Sequence, residues 1–239
     1  MQETKLPKII FIVGSASAGK TTLAKIIKKK LPFYNLISDL DELKRLIELE
    51  RISGNKKTRI KPLVSGGFDI IDPNIWDEVL IATACRIDLK KFYIFEFARG
   101  IDQNYLRTLR LKKHQVYDHC FDIILSVLPE IGNKNMLIIH VFSEFKARLH
   151  RNERKRQNNE HFVAKKVMQE IYSEDIFHFV PTITENIGYL NQQNKILVFS
   201  IDNSKELLPQ EIKKYLDNQT QAVLKYYNIA HSKKEVKWI

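Results

Sequence analysis

Short apolar runs punctuate this chain at intervals that leave room for a helix between each pair. Lys8–Val13 (KIIFIV), Lys91–Phe97 (KFYIFEF), Met136–Phe142 (MLIIHVF) and Lys195–Ile201 (KILVFSI) are continuous runs of strand length, and Tyr34–Ser38 completes a set of five. Unbroken apolar strands, without polar alternation, are what a sheet buried on both faces requires. The intervening stretches carry helical spacing. Leu23, Ile26, Ile27 and Leu31 mark a helix over Gly19–Leu31 that Pro32 stops. Leu40, Leu43, Leu46 and Ile47 mark a second. Asp72-Pro73 reads as N-cap and first helical residue of a third, whose face is Trp76, Val79, Leu80, Thr83, Ala84 and Ile87. Val116, Tyr117, Cys120, Phe121, Ile124, Leu125 and Leu128 form a fourth, a basic helix covers about Ser143–Arg156, and helices fill much of 204–230. Strand and helix alternate, which predicts a doubly wound, mostly parallel five-stranded α/β sheet with helices on both faces.

At 239 residues the chain suits one domain with elaborations better than two. The expected organisation is a single domain over 1–239, with a basic, glycine-containing insertion at about 51–70 and a lid at about 143–175. Cys85 and Cys120 lie in apolar helical stretches and read as reduced, buried thiols. No secretory signal is visible, and the Ile9–Val13 run is too short for a signal core or a membrane span, so a cytoplasmic protein with no membrane partner is expected. The formal charge of +11 points to a polyanionic partner, either nucleic acid or a phosphorylated small molecule.

The first strand runs directly into Gly14-Ser15-Ala16-Ser17-Ala18-Gly19-Lys20-Thr21, which matches G-x-x-x-x-G-K-[ST] at every fixed position. A random chain of this length matches roughly once in a hundred, and the flanking strand and helix make coincidence rarer. Gly14 and Gly19 give the backbone freedom to close around phosphate. Successive N–H groups form an anion nest at a helix start. Lys20 would neutralise β- and γ-phosphates, Thr21 would offer its hydroxyl to Mg²⁺, and Thr22 completes the loop. ATP and Mg²⁺ are therefore the expected cofactors. A GTPase would need Asn-Lys-x-Asp after a late strand, where this chain has Ile201-Asp202-Asn203-Ser204, and an ABC-type signature is absent.

On the strength of this loop, the element order and the arginine-rich helix after the fourth strand, the chain resembles the nucleoside- and nucleotide-kinase-like branch of P-loop proteins over about residues 8–203. The resemblance implies ATP-Mg²⁺ at the loop, an acceptor beyond the second and third strands, and an arginine-bearing lid. It implies carboxylates near the acceptor at Asp39 and Asp41, an acid and an arginine handling acceptor and metal at Glu96 and Arg99, and lid arginines at Arg148, Arg151 and Arg154. Thr21 and Glu96 are then the metal-side residues, and Lys20, Asp39, Glu96, Arg99 and Arg151 the catalytic set. The chain departs from the adenylate-kinase-like pattern at Ser17, where glycine is usual, and lacks its Asp-Gly-x-Pro-Arg.

Other roles stand beside these. Asp39 with Glu42 three residues later resembles a capping box, and Asp41 would complement the helix dipole. Glu96 within an aromatic strand requires a partner of some kind. The acceptor is a nucleoside, a nucleotide or a similar small molecule. Alternatively it is a polynucleotide 5′ end held by Arg51, Lys56, Lys57, Arg59 and Lys61, or the protein is an ATPase switch module without an acceptor.

Overall fold

The computed structural model describes residues 6–53, 59–62, 68–158, 160–205 and 209–232. In chain order its elements are β1 (Ile9–Val13), α1 (Lys20–Lys30), β2 (Tyr34–Ser38), α2 (Asp39–Ser53), β3 (Ile60–Pro62), β4 (Phe68–Ile70), α3 (Ile75–Ala84), β5 (Phe92–Glu96), α4 (Gln103–Leu109), α5 (Val116–Val127), β6 (Met136–Phe142), α6 (Phe145–Gln157), α7 (Lys165–Glu170), β7 (Val180–Thr184), β8 (Ile187–Tyr189), β9 (Leu197–Asp202) and α8 (Pro209–Ser232).

The main sheet has seven strands in the order β2-β5-β1-β6-β9-β8-β7, two more than the sequence pattern predicts. The five expected strands are all present and form its parallel part, with Phe11 of β1 paired to Phe95 on one side and Ile138 on the other. The extra pair, β7 and β8, adds antiparallel beyond β9. A separate antiparallel pair, β3 with β4, lies in the stretch expected to be an irregular insertion.

Every residue of β1 is buried, and alternate side chains enter different cores, as strand geometry dictates. Ile10 and Ile12 pack with Leu23 and Ile27 of α1 and with Leu216, Val223 and Tyr227 of α8. Ile9, Phe11 and Val13 pack with Leu80 of α3 and with Tyr117, Cys120, Phe121 and Ile124 of α5. The sheet is thus covered on both faces, and each such fully buried large side chain contributes about 1.5–3 kcal/mol of transfer free energy.

Local expectations shift in three places. The third helix begins at Ile75 after Asn74, while the Asp72 carboxylate accepts from the Asn74 N–H at 3.1 Å in the preceding turn. Asp39 is not the cap of α2: the Ser38 hydroxyl accepts from the Leu40 N–H at 3.2 Å, and Glu42 instead bonds Arg45. Cys120 is buried as expected, but Cys85 ends α3 on the surface and is exposed. No helix among the described residues is long and apolar enough to cross a membrane.

Candidate functional site

Because β1 is central and the chain leaves it for strands on both sides, its carboxyl end is the switch point at which open α/β sheets bind ligands. The Gly14–Thr21 loop sits there. Gly14 has φ 139°, and a Cβ at this position would lie 2.4 Å from the Val141 carbonyl oxygen, so only glycine lets the loop turn so close to β6. Ser17 has φ 60°, the left-handed conformation that a glycine would adopt without strain; its hydroxyl donates to Asn152 Oδ1 at 3.4 Å. Helix α1 then begins with no side-chain cap and no acid in its first turn. Its orphan N–H groups and positive dipole end are thereby left to an anion.

Lys20 is buried and donates through Nζ to the Ser15 carbonyl at 2.9 Å. Burial pulls its pKa below the ordinary lysine value, against the opposing charges of Glu96, Asp39 and Asp175. The Thr21 hydroxyl donates to Glu96 Oε1 at 2.6 Å, joining the start of α1 to the end of β5. Two oxygen donors together at the mouth of a phosphate loop are the chemistry that Mg²⁺ takes, usually from one or two protein oxygens with phosphate and water supplying the rest.

A cavity of about 520 Å³ opens from the loop. Its lining includes the polar side chains of Lys20, Thr21, Thr22, Asp39 and Glu96, the cations Arg151, Arg154 and Lys155 of α6, and the apolar Leu43, Trp76, Phe97, Phe162, Val167 and Tyr172. Asp39 and Glu96 therefore share one cavity with the loop. Asp41 is exposed and does not line it.

Arg99 takes a different place from the one expected. It is 3 % exposed and absent from the cavity lining. Its guanidinium donates to Asp39 Oδ2 at 2.6 Å, to the Ala98 carbonyl at 2.6 Å and to the Trp76 carbonyl at 3.1 Å. It holds Asp39 rather than an acceptor. Burial raises the Asp39 pKa above the usual carboxylate value, with Arg99 pulling the other way.

The three arginines of α6 also part company. Arg154 lines the cavity. Arg151 lines it too, but its guanidinium reaches the Asn203 carbonyl, the Ser143 hydroxyl at 3.0 Å and the Ala18 carbonyl at 3.5 Å. Arg148 is 1 % exposed and turned into the core, where it donates to the carbonyls of Ser143 at 2.8 Å, Tyr172 at 2.5 Å and Ser173 at 3.4 Å. Unlike the lid position that the resemblance implies, it lies outside the cavity, with its donors taken by backbone.

Two of the cations suggested for a polynucleotide are engaged within the protein. Arg51 pairs with Glu48 at 2.7 Å, and Arg59 with Glu50 at 2.7 Å and Glu78 at 2.8 Å. Lys61 is exposed, and Lys56 and Lys57 lie outside the described residues.

Several residues around the loop had no signal in the sequence. Asn152 joins Ser17 to residue 163, accepting from the Val163 N–H at 2.9 Å and donating to its carbonyl at 2.6 Å. Ser15 donates to the Glu174 carbonyl at 3.3 Å. Next to it, Asp175 lies 3.2 Å from Nε2 of His140, whose other nitrogen is 2.9 Å from the Ser200 hydroxyl. Asn203 Nδ2 donates to the Ala18 carbonyl at 2.8 Å. Each is an ordinary polar residue whose partner is remote in the chain.

The Zeta toxin family model matches residues 1–66, which contain the loop and Asp39. No curated protein matches the chain. Among solved structures it is similar to a gluconokinase from Sinorhizobium meliloti 1021, at 13 % identity and TM-score 0.49, covering 95 % of this chain and 99 % of that one. It is also similar to shikimate kinase from Acinetobacter baumannii in complex with shikimate, at 12 % identity and TM-score 0.46, covering 93 % and 96 %. A third is Kti12 of Chaetomium thermophilum in complex with ADP-AlF3, at 13 % identity and TM-score 0.44, covering 90 % and 98 %. The complete loop motif stands at the end of the central parallel strand, and the family match runs across it.

Proposed function

We propose that the protein is an ATP-dependent phosphotransferase acting on a small hydroxyl-bearing acceptor, with a nucleoside or nucleotide the first choice. The observation that carries this reading is the single cavity in which the phosphate loop faces both Asp39 and Glu96. A switch that only hydrolyses nucleotide has no need of a second carboxylate beside a cavity wall of Trp76, Phe97 and Tyr172. That wall suits an acceptor with a flat or apolar body, such as a base, better than a bare polyol.

In this mechanism the loop amides and Lys20 hold the triphosphate and offset its charge. Thr21 and Glu96 would hold Mg²⁺, which when bound supplies further charge neutralisation to the phosphates. Asp39 orients the acceptor hydroxyl and takes its proton. Its raised pKa makes it a stronger base than an ordinary carboxylate, and Arg99 keeps it aimed into the cavity. Arg154 and Arg151 face the transferring phosphoryl group from α6. The 143–175 segment acts as the lid of a single domain, excluding water when it closes.

The test is ATP consumption coupled to mass-spectrometric detection of products over a panel of nucleosides, nucleotides, sugars and 5′-hydroxyl oligonucleotides. One acceptor gaining a phosphate, with Lys20→Ala inactive, is the expected result. Turnover retained in Lys20→Ala, or nucleotide binding with no acceptor-dependent turnover across the panel, would overturn the proposal.

A further inference from the structure

Asn203, at the end of β9, belongs to the Ile201-Asp202-Asn203-Ser204 segment, to which the mechanism above gives no part. It is 3 % exposed, and its backbone is fixed from both sides. Its N–H donates to the Phe142 carbonyl at 2.8 Å. Its own carbonyl accepts from the Ser143 hydroxyl at 3.1 Å and from Arg151 Nη2. From this anchored position the carboxamide reaches the phosphate loop and donates to the Ala18 carbonyl at 2.8 Å. The approach is so close that a Cβ on Gly19 would lie 2.4 Å from Asn203 Nδ2.

The peptide that Asn203 touches is the one between Ala18 and Gly19. A trans peptide is planar, and its C=O and N–H point in opposite directions. Asn203 captures the carbonyl on one side, so the Gly19 N–H faces the other. Gly19 lines the cavity, whereas neither Ala18 nor Asn203 does. We infer that Asn203 is a positioning residue for the phosphate loop: by holding the Ala18 carbonyl away from the cavity, it fixes the Gly19 N–H as a donor to the bound phosphate. The inference rests on the reading that this loop binds phosphate. It gives the segment after β9 a structural part in that binding without any contact to the ligand. Were the 18–19 peptide free to rotate, its carbonyl would at times face the anion and repel it.

Asn203→Asp tests the geometry at nearly constant shape. The variant puts an ionised oxygen where the donor was, opposite the Ala18 carbonyl, and leaves that carbonyl only the longer 3.5 Å contact from Arg151. Protonation of that new carboxyl restores an O–H donor. The probe is inorganic tripolyphosphate, followed by calorimetric titration of the full chain between pH 8 and pH 5. The ratio of variant to wild-type affinity cancels the titration of the anion itself. At pH 8, Asn203→Asp should bind about tenfold or more weakly, and the deficit should shrink as pH falls. Asn203→Ala should lose about fivefold at all pH values. The uncharged Asn203→Ala variant separates lost positioning from simple repulsion of the anion by the new carboxylate, which protonation would also relieve. Wild-type affinity in Asn203→Asp at pH 8, or a deficit that does not change with pH, would overturn the inference. If that variant fails to fold, unchanged affinity in Asn203→Ala does so instead. Failure of the wild type itself to bind tripolyphosphate would remove the phosphate-loop reading, which is a separate result.

Discussion

Thr21 and Glu96 meet through a 2.6 Å hydrogen bond from hydroxyl to carboxylate, so the start of α1 and the end of β5 present one shared oxygen cluster at the phosphate loop. Glu96→Gln preserves an acceptor for Thr21 while removing the charge. Apparent Mg²⁺ affinity in the phosphotransfer assay should fall roughly 10–100-fold, and the fold should be unchanged. Chelation with EDTA should stop turnover in both proteins, and excess Mg²⁺ should restore it more readily in the wild type. Equal Mg²⁺ dependence in the two proteins would remove Glu96 from the metal role.

In the proposed mechanism Asp39 sets the acid limb of the reaction. Its folded pKa is raised by burial, and the mechanism needs the ionised form. Activity should therefore rise with pH through a value above the ordinary 3.8 of a free aspartate. Asp39→Asn should lower kcat by about 10²–10⁴ and remove that limb from the profile. The rate profile over pH 4–8 for both proteins is the measurement.

Lys20 is buried at a cost, since burial lowers its pKa. Lys20→Ala removes a charge that burial disfavours. Transfer should fall by at least ~100-fold, while the melting temperature stays level or rises. A large drop in melting temperature would mean that the lysine is chiefly structural.

Arg148 and Arg154 separate stability from binding. Arg148→Ala leaves the carbonyls of Ser143, Tyr172 and Ser173 without their donor, at a cost of roughly 3 kcal/mol. Urea denaturation should register that loss. Arg154→Ala, on the cavity side, should leave the denaturation midpoint nearly unchanged and weaken nucleotide use.

Asp175 carries a pH-dependent share of the stability. Burial works to raise its pKa, but the hydrogen bond and charge of His140, the Phe177 N–H and the charge of Arg148 together outweigh this, so the net shift is downward from 3.8. Its folded state therefore holds the proton less tightly than the unfolded chain does. The stabilisation is fully present above that unfolded value and is lost as pH falls through the lower folded one. Asp175→Asn should accordingly be less stable than wild type at pH 6, and the gap should narrow below pH 3.8. Denaturation midpoints at several pH values would check this.

The parallel part of the sheet and the phosphate loop were legible because each is written in consecutive residues. A strand buried on both faces is an unbroken apolar run, and the loop is an eight-residue motif. The β7–β8 hairpin was not legible. Pro181 interrupts its pattern, and proline is tolerated in β7 because that strand is the sheet edge. The Asp39–Arg99 pair escaped for another reason: its members are sixty residues apart, and each alone reads as a surface charge near a ligand. The α6 arginines misled through arithmetic. A spacing of three falls about 60° short of a full turn, so Arg148 and Arg154 cannot share a narrow face. One enters the core and the other reaches the cavity.

The central position of β1 also bears on how the molecule comes to exist. The strand that carries the phosphate loop is made early, yet both its neighbours come much later, with Phe11 waiting for Phe95 and then for Ile138. Until β5 has been synthesised this wholly apolar segment has no strand to pair with, and until β6 follows it is paired on one side only; long-range parallel pairing of this kind is slow to form. The loop would then be among the last features to take shape during translation. A ribosome stalled before residue 142 should hold a chain that cannot bind nucleotide, whatever its helix content.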